Sequence, residues 1–296
     1  MPRPTAGDFF QLMKPGITLF IVMVSVAGFF TVSPYPPNLR DLGWLVLSGT
    51  LGAAGSAALN HYYDRDIDVK MKRTRSRPLP MESIPPTAAM AFGTALIAGA
   101  LLSAYFELNW AVAASIASGA FVYVVVYTML LKRETPWGTV IGGYAGSAAV
   151  LGGGAAVTGG FSLPVIVLAL IVFLWTPPHF WSLAIALSSD FGRADLPALP
   201  RSSGVRQSAR AVVVSAALLL PPTVAFAFLG TLYYPFLVGG LVAGVLFLLV
   251  TTRILADSSR KVAMRAFIAS GFYLVAISVA MVVNWLLVQG PFFHLA

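Results

Sequence analysis

The sequence predicts an all-α, polytopic membrane helical bundle of nine transmembrane helices, and three observations carry that prediction. First, 58% of the 296 residues are hydrophobic and the mean hydropathy is +0.83, too apolar for a chain that must clothe a soluble core. Second, the apolar residues come in runs of about twenty, the length that crosses a hydrocarbon layer as a helix. Third, nine such spans leave 18 of the 19 lysines and arginines on one side, with Arg40 alone on the other. Cytoplasmic loops carry that kind of excess, so the N-terminus is expected in the cytoplasm and the C-terminus outside.

The first span is expected at 15–33. The preceding MPRPTAGDFFQLMKPGIT lacks a small-residue cleavage site after a short apolar core, so this run reads as a retained helix. Further spans are expected near 43–63, 86–106, 110–131, 138–158, 163–188, 207–230, 233–252 and 266–289. The outer turns at Leu108-Asn109, Gly159-Gly160 and Gly230-Thr231 are minimal, whereas the inner loops are longer and more polar. Any chemistry therefore belongs to the inner face. Gly142-Gly143, Gly146 and Gly152-Gly153-Gly154 are followed by no Lys-Ser or Lys-Thr, so they form no phosphate loop. Small residues at such spacing let membrane helices approach closely.

Composition removes several other classes. With no cysteine, neither disulfides nor thiolate-ligated metal is available. His61, His179 and His294 are too scattered to spell a zinc motif. The formal charge of +8 sits in interhelical loops, which points to anionic membrane lipid and an anionic substrate, not to nucleic acid.

The inner end of the second span holds the densest charge. Asn60 to Pro80 packs four acids or amides and six bases into one stretch. Asn60, Asp64 and Asp68 recur at i, i+4 and i+8, so on a helix they form one stripe about 80° wide. Carboxylates held together need a cation between them, and hard oxygen donors suit Mg²⁺. Lys70, Lys72, Arg73, Arg75 and Arg77 follow, as expected around a diphosphate. Acids followed by bases read as a metal–diphosphate site.

A second cluster follows the sixth span, with Asp190 and Asp195 among Arg193 and Arg201. It lies four helices after the first. The chain is thus expected to be a single transmembrane domain over 1–296, built as tandem four-helix units at about 15–131 and 138–252 plus a ninth helix at 266–289. Pro177 and Pro178 are expected to interrupt the sixth span and open a pocket. His179, eleven residues before Asp190, falls about 20° from it on an ideal helix and is expected to face the same cavity. A histidine bonded between helices remains the alternative. Lys132 and Arg133, at the inner end of the fourth span, either clamp a diphosphate or anchor that helix among headgroups.

Four separated motifs carry a family resemblance: Lys14-Pro15-Gly16-Ile17-Thr18; NxxxDxxxD at Asn60, Asp64 and Asp68 with its RTxxRPL tail from Arg73; YTxxLKRxTP from Tyr127 with VIGG from Val140; and WTPPHFW from Trp175. The sequence resembles the UbiA-type intramembrane prenyltransferases, and within them the heme-modifying branch. The resemblance implies that Asn60, Asp64 and Asp68, with Asp190 opposite, bind Mg²⁺ and through it farnesyl diphosphate. Lys72, Arg73, Arg77, Lys132 and Arg133 would neutralise the remaining charge. It implies heme b as acceptor, with Trp175, His179 and Trp181 around it, in a bacterial or archaeal cell membrane. Asp195 is counted among the metal ligands, although it stands where this family usually has glycine. Two other readings are open: prenyl transfer to an aromatic acid or quinone precursor, and a transporter with metal-binding acids at its inner mouth.

Overall fold

The computed structural model describes residues 4–229 and 233–290; Arg3, the Gly230-Thr231 turn and His294 lie outside the described residues. A short helix α1 (Ala6–Leu12) precedes the bundle and is closed by a reciprocal cap between Thr5 and Asp8. The spans are then α2 (Pro15–Val32), α3 (Leu39–Asp68), α4 (Pro86–Glu107), α5 (Trp110–Phe121) continued by a π-helical Val122–Leu131, and the pair α6 (Gly138–Gly142) and α7 (Tyr144–Thr158). After them come α8 (Leu163–Ala186), the short α9 (Ser188–Arg193) and α10 (Leu199–Ser203), the pair α11 (Val205–Ala217) and α12 (Leu220–Ala225), α13 (Tyr234–Ala256) and α14 (Arg260–Val288). Among the described residues, nine spans are long and apolar enough to cross a membrane, as expected. The chain is an integral membrane protein.

Among the differences from expectation, three have a local reason. Helix α3 does not stop near residue 63 but runs to Asp68, so the whole acidic stripe is helical. Its start is fixed by Asn38, which accepts from the amides of Arg40 and Asp41, and its last carbonyl is taken by the Thr74 hydroxyl at 2.9 Å. Helix α14 begins at Arg260 because Ser259 caps it. The third difference corrects the reading of Pro177-Pro178. Helix α8 passes through both prolines, and the chain breaks only at Leu187 (φ −113°, ψ 26°). Two missing amide donors do not unwind a helix whose flanks are held by neighbouring helices, and α8 is packed against α7, α11 and α14.

Glycine sets how closely the helices approach. A Cβ on Gly153 would lie 1.9 Å from the Ser25 carbonyl oxygen, and one on Gly28 would lie 2.2 Å from that of Val150. Helices α2 and α7 therefore meet backbone to backbone. The main core joins α2, α7, α8, α11, α13 and α14 around Phe236, Phe247, Tyr273 and Met281.

Candidate functional site

The last three turns of α3 carry Asn60, His61, Asp64 and Asp68, with exposures of 2%, 2%, 1% and 3%. Each acid meets a base from a different segment. Lys132 donates to Asp64 Oδ2, and Arg77 Nη1 donates to Asp68 Oδ2 at 2.7 Å. Asn60 Oδ1 accepts from Lys14 Nζ, while Asn60 Nδ2 donates to Thr128 Oγ1 at 2.9 Å. The stripe is thereby tied to α2, to the loop after α3 and to the fourth span.

The π-helical segment explains how the fourth span reaches so far. Its wider turn closes with the Lys132 amide on the Tyr127 carbonyl at 2.8 Å. A π-turn advances more residues per turn than an α-turn, a feature common at functional sites. Here it brings Thr128 onto Asn60 and Lys132 onto Asp64 from one short stretch. Tyr127 is buried beside them, and a Cβ on Gly142 would meet its ring at 2.9 Å.

Asp190 is buried at 6% on α9 and accepts from Arg193 Nη1 at 3.3 Å. The two acidic loops touch, since Ile67 and Met71 pack with Phe191, Ala194 and Leu196. Arg73 is exposed but stands within electrostatic reach of both Asp68 and Asp190. Burial holds the Lys14 amine down to about 7, with the neighbouring Arg77 charge adding to that effect and Asp64 opposing it.

Several predicted site residues stand elsewhere. Arg133 makes a two-pronged pair with Asp66, both bonds 2.7 Å, and donates to the Tyr63 carbonyl at 3.0 Å. Asp66 lies about 200° around α3 from Asp64, so this pair is on the opposite side from the stripe. Lys72 is exposed. Asp195 is 80% exposed, pairs with Arg201 at 2.6 Å, and adopts φ 55°. That left-handed backbone favours glycine, which accounts for the usual family residue, and it aims the carboxylate outward. Trp175 and His179 stack at 4.3 Å on one face of α8, where Trp175 Nε1 donates to the Ser270 carbonyl of α14 at 2.7 Å. Trp181 is about 200° around the helix from His179 and is packed in a closed inner core with Ile185, Ala209 and Ala263. The break at Leu187 also removes the helical alignment of His179 with Asp190.

Sequence reasoning missed Lys14 as a site residue. It adopts φ 47°, ψ 64° between α1 and α2, a left-handed conformation unusual outside glycine. Its position beside Pro15 marks a helix start, but nothing in the local sequence says that it crosses to a residue 46 positions away.

The site fits a divalent cation. Asp64 Oδ1 is buried with no hydrogen-bond partner, and an unsatisfied buried acceptor costs about 1–3 kcal/mol, more when charged. Among the described residues no three acids or histidines cluster tightly enough to cage a metal alone. Mg²⁺ is commonly held by one or two carboxylates plus substrate phosphates, and Asp64, Asp68 and the Asn60 amide oxygen suit that pattern.

A profile of the UbiA prenyltransferase family matches residues 21–289. The chain belongs to that family. Among curated relatives, protoheme IX farnesyltransferase 2 of Mesorhizobium japonicum is 40% identical over 284 residues, covering 95% of this chain and 90% of that protein. Protoheme IX farnesyltransferase of Methylobacterium nodulans is 41% identical over 273 residues, covering 90% and 86%. Among solved structures, a UbiA homolog from Archaeoglobus fulgidus bound to DMAPP and Mg²⁺ superposes with a TM-score of 0.73 at 17% identity, covering 93% of this chain and 99% of that one. Digeranylgeranylglyceryl phosphate synthase gives a TM-score of 0.75 at 18% identity, covering 94% and 98%. This UbiA family member therefore shares the fold of both.

Proposed function

We propose that this protein transfers the farnesyl group of farnesyl diphosphate to a vinyl group of heme b, giving heme O and diphosphate, with Mg²⁺ as cofactor. The observation that carries the reaction class is the buried Asn60–Asp64–Asp68 stripe, with Asp64 Oδ1 unpartnered and Lys14, Arg77 and Lys132 around it. The acceptor is supported by the protoheme IX farnesyltransferases that share about 40% of the sequence over most of the chain. A transporter would call for acids at mid-membrane; here the acids stand at the end of α3.

Mg²⁺ bound by Asp64, Asp68, Asn60 and Asp190 would draw charge from the departing diphosphate. The chain supplies the rest. Arg73 and Lys132 would stabilise the leaving oxygens as the allylic C–O bond breaks. The half-buried ring of Tyr123 and the buried ring of Tyr127, 5.9 Å apart, wall the site against water while the farnesyl cation exists. The vinyl group attacks that cation, and water adds to the carbocation left on the former vinyl carbon with loss of one proton, completing the hydroxyethylfarnesyl substituent.

On the acceptor side, Ser270 Oγ spends its one proton on the Phe267 carbonyl at 2.5 Å, so His179 Nδ1 donates to Ser270 at 2.6 Å. That tautomer leaves a lone pair on Nε2, suited to iron or to a hydrogen bond that orients the ring. The basic loops, and with them the site, face the cytoplasm. The deciding experiment is incubation of purified protein with heme b, farnesyl diphosphate and Mg²⁺, with products read by mass. Absence of the hydroxyethylfarnesyl adduct, with another prenylated acceptor formed instead, would overturn the assignment.

A further inference from the structure

Beside the acidic stripe lies a cavity of about 280 Å³, lined by Gln11 of α1, Lys14, Ile17 of α2, His61 of α3 and Arg77. Gln11, Pro15, Gly16 and Ile17 of its lining are exposed, so it is open on the side of Ile17. His61 lies seven residues before Asp68 on a continuous helix, within about 20° of it and about 10 Å further along. Its imidazole is 2% exposed, yet neither ring nitrogen has a partner. A buried, unpaired polar ring in a native protein calls for an explanation, and this one lines a cavity.

The charge of that cavity is specific. No carboxylate lines it. Arg77 is already paired with Asp68, whereas Lys14 is bonded to the neutral amide of Asn60. Lys14 therefore makes no ion pair within the cavity, and His61 and Gln11 add neutral donors beside it. That complement suits a monoanion with two acceptor oxygens better than a diphosphate, whose charge is met at Asp64, Asp68 and Asp190 through a metal. A carboxylate fits both the charge and the donor count.

We propose that the Gln11–Lys14–His61–Arg77 cavity binds a carboxylate of the acceptor, which on the functional reading above is a propionate of heme b. An acceptor that is a flat apolar plate with carboxylates at one edge lies in the membrane with that edge at the interface, where the cavity opens beside Ile17. The site thus fixes which edge of the plate is anchored and so which edge is presented for transfer.

The test is a titration of the full-length protein in detergent, without Mg²⁺ or prenyl donor, with heme b and with its dimethyl ester, followed by the heme absorption band. Wild type is expected to prefer heme b by about tenfold, the factor of one charge-assisted hydrogen bond. His61→Phe, which replaces an unpaired polar ring by an apolar one of similar size, and Lys14→Met should each bring that preference to about twofold or less. If wild type prefers heme b and both variants keep the full preference, or if wild type binds both forms equally, the inference falls while the functional reading stands. If the variants lose inorganic diphosphate binding but keep the ester preference, the cavity serves the donor and the inference also falls. If wild type binds no heme at all, the functional reading itself fails and takes this one with it.

Discussion

At the residue scale, Asp64 and Asp66 are two positions apart yet have opposite surroundings. Asp64 is buried with one oxygen unpartnered, whereas Asp66 is exposed and held by Arg133. Asp64→Ala and Asp68→Ala should each lower turnover by about 100-fold or more, because each removes an oxygen placed to hold the cation against the leaving group. Asp66→Ala breaks a surface ion pair of about 0–1 kcal/mol and should stay within about tenfold of wild type. Turnover measured on the three purified variants checks this, and equal losses would refute the stripe. Asp195 offers a different comparison. Its φ of 55° is strained for a side chain with a Cβ, so Asp195→Gly should keep wild-type activity. Relief of the strain, about 1 kcal/mol, is offset by loss of the exposed Arg201 pair, so thermal unfolding should move by only a few degrees.

At the element scale, the tight crossing of α2 and α7 and the face of α8 carry the predictions. Gly153→Val places carbon where the Ser25 carbonyl already is. Overpacking of this kind costs about 1–3 kcal/mol or more, and separating α2 from α7 would also shift Lys14 at the start of α2. Lower thermal stability in detergent together with weaker donor binding is expected; unchanged melting would show that the helices can part freely. On α8, His179→Ala and Trp175→Ala should weaken heme binding or transfer while Mg²⁺-dependent farnesyl diphosphate binding stays nearly intact. Both side chains make polar contacts to Ser270 of α14. Trp181→Ala should instead lower stability, since that ring fills the closed inner core. Wild-type heme conversion by His179→Ala would move the acceptor elsewhere.

At the scale of the whole molecule, the charge asymmetry predicts a topology. Tags at the N-terminus and near Arg201 should be protected on the cytoplasmic side, and a tag after Pro291, beyond the described residues, should be accessible from outside. A cytoplasmic C-terminus would remove the nine-span arrangement.

The sequence by itself determined the bundle, the span count and the stripe, because membrane length, hydropathy and helical period are local properties that a linear chain displays. Asn60, Asp64 and Asp68 needed only the assumption of a helix. The tertiary structure alone decided which bases meet those acids. Lys14 reaches Asn60 and Lys132 reaches Asp64 across 46 and 68 residues, while Arg133, next to Lys132, turns to Asp66. A charge in sequence carries no direction; its side chain is aimed by backbone geometry, here a left-handed Lys14 and a π-helical turn before Lys132. The same holds for Pro177-Pro178, which local rules break and packed neighbours keep helical, because the stability of a buried helix is set by what surrounds it and not by its own propensities alone.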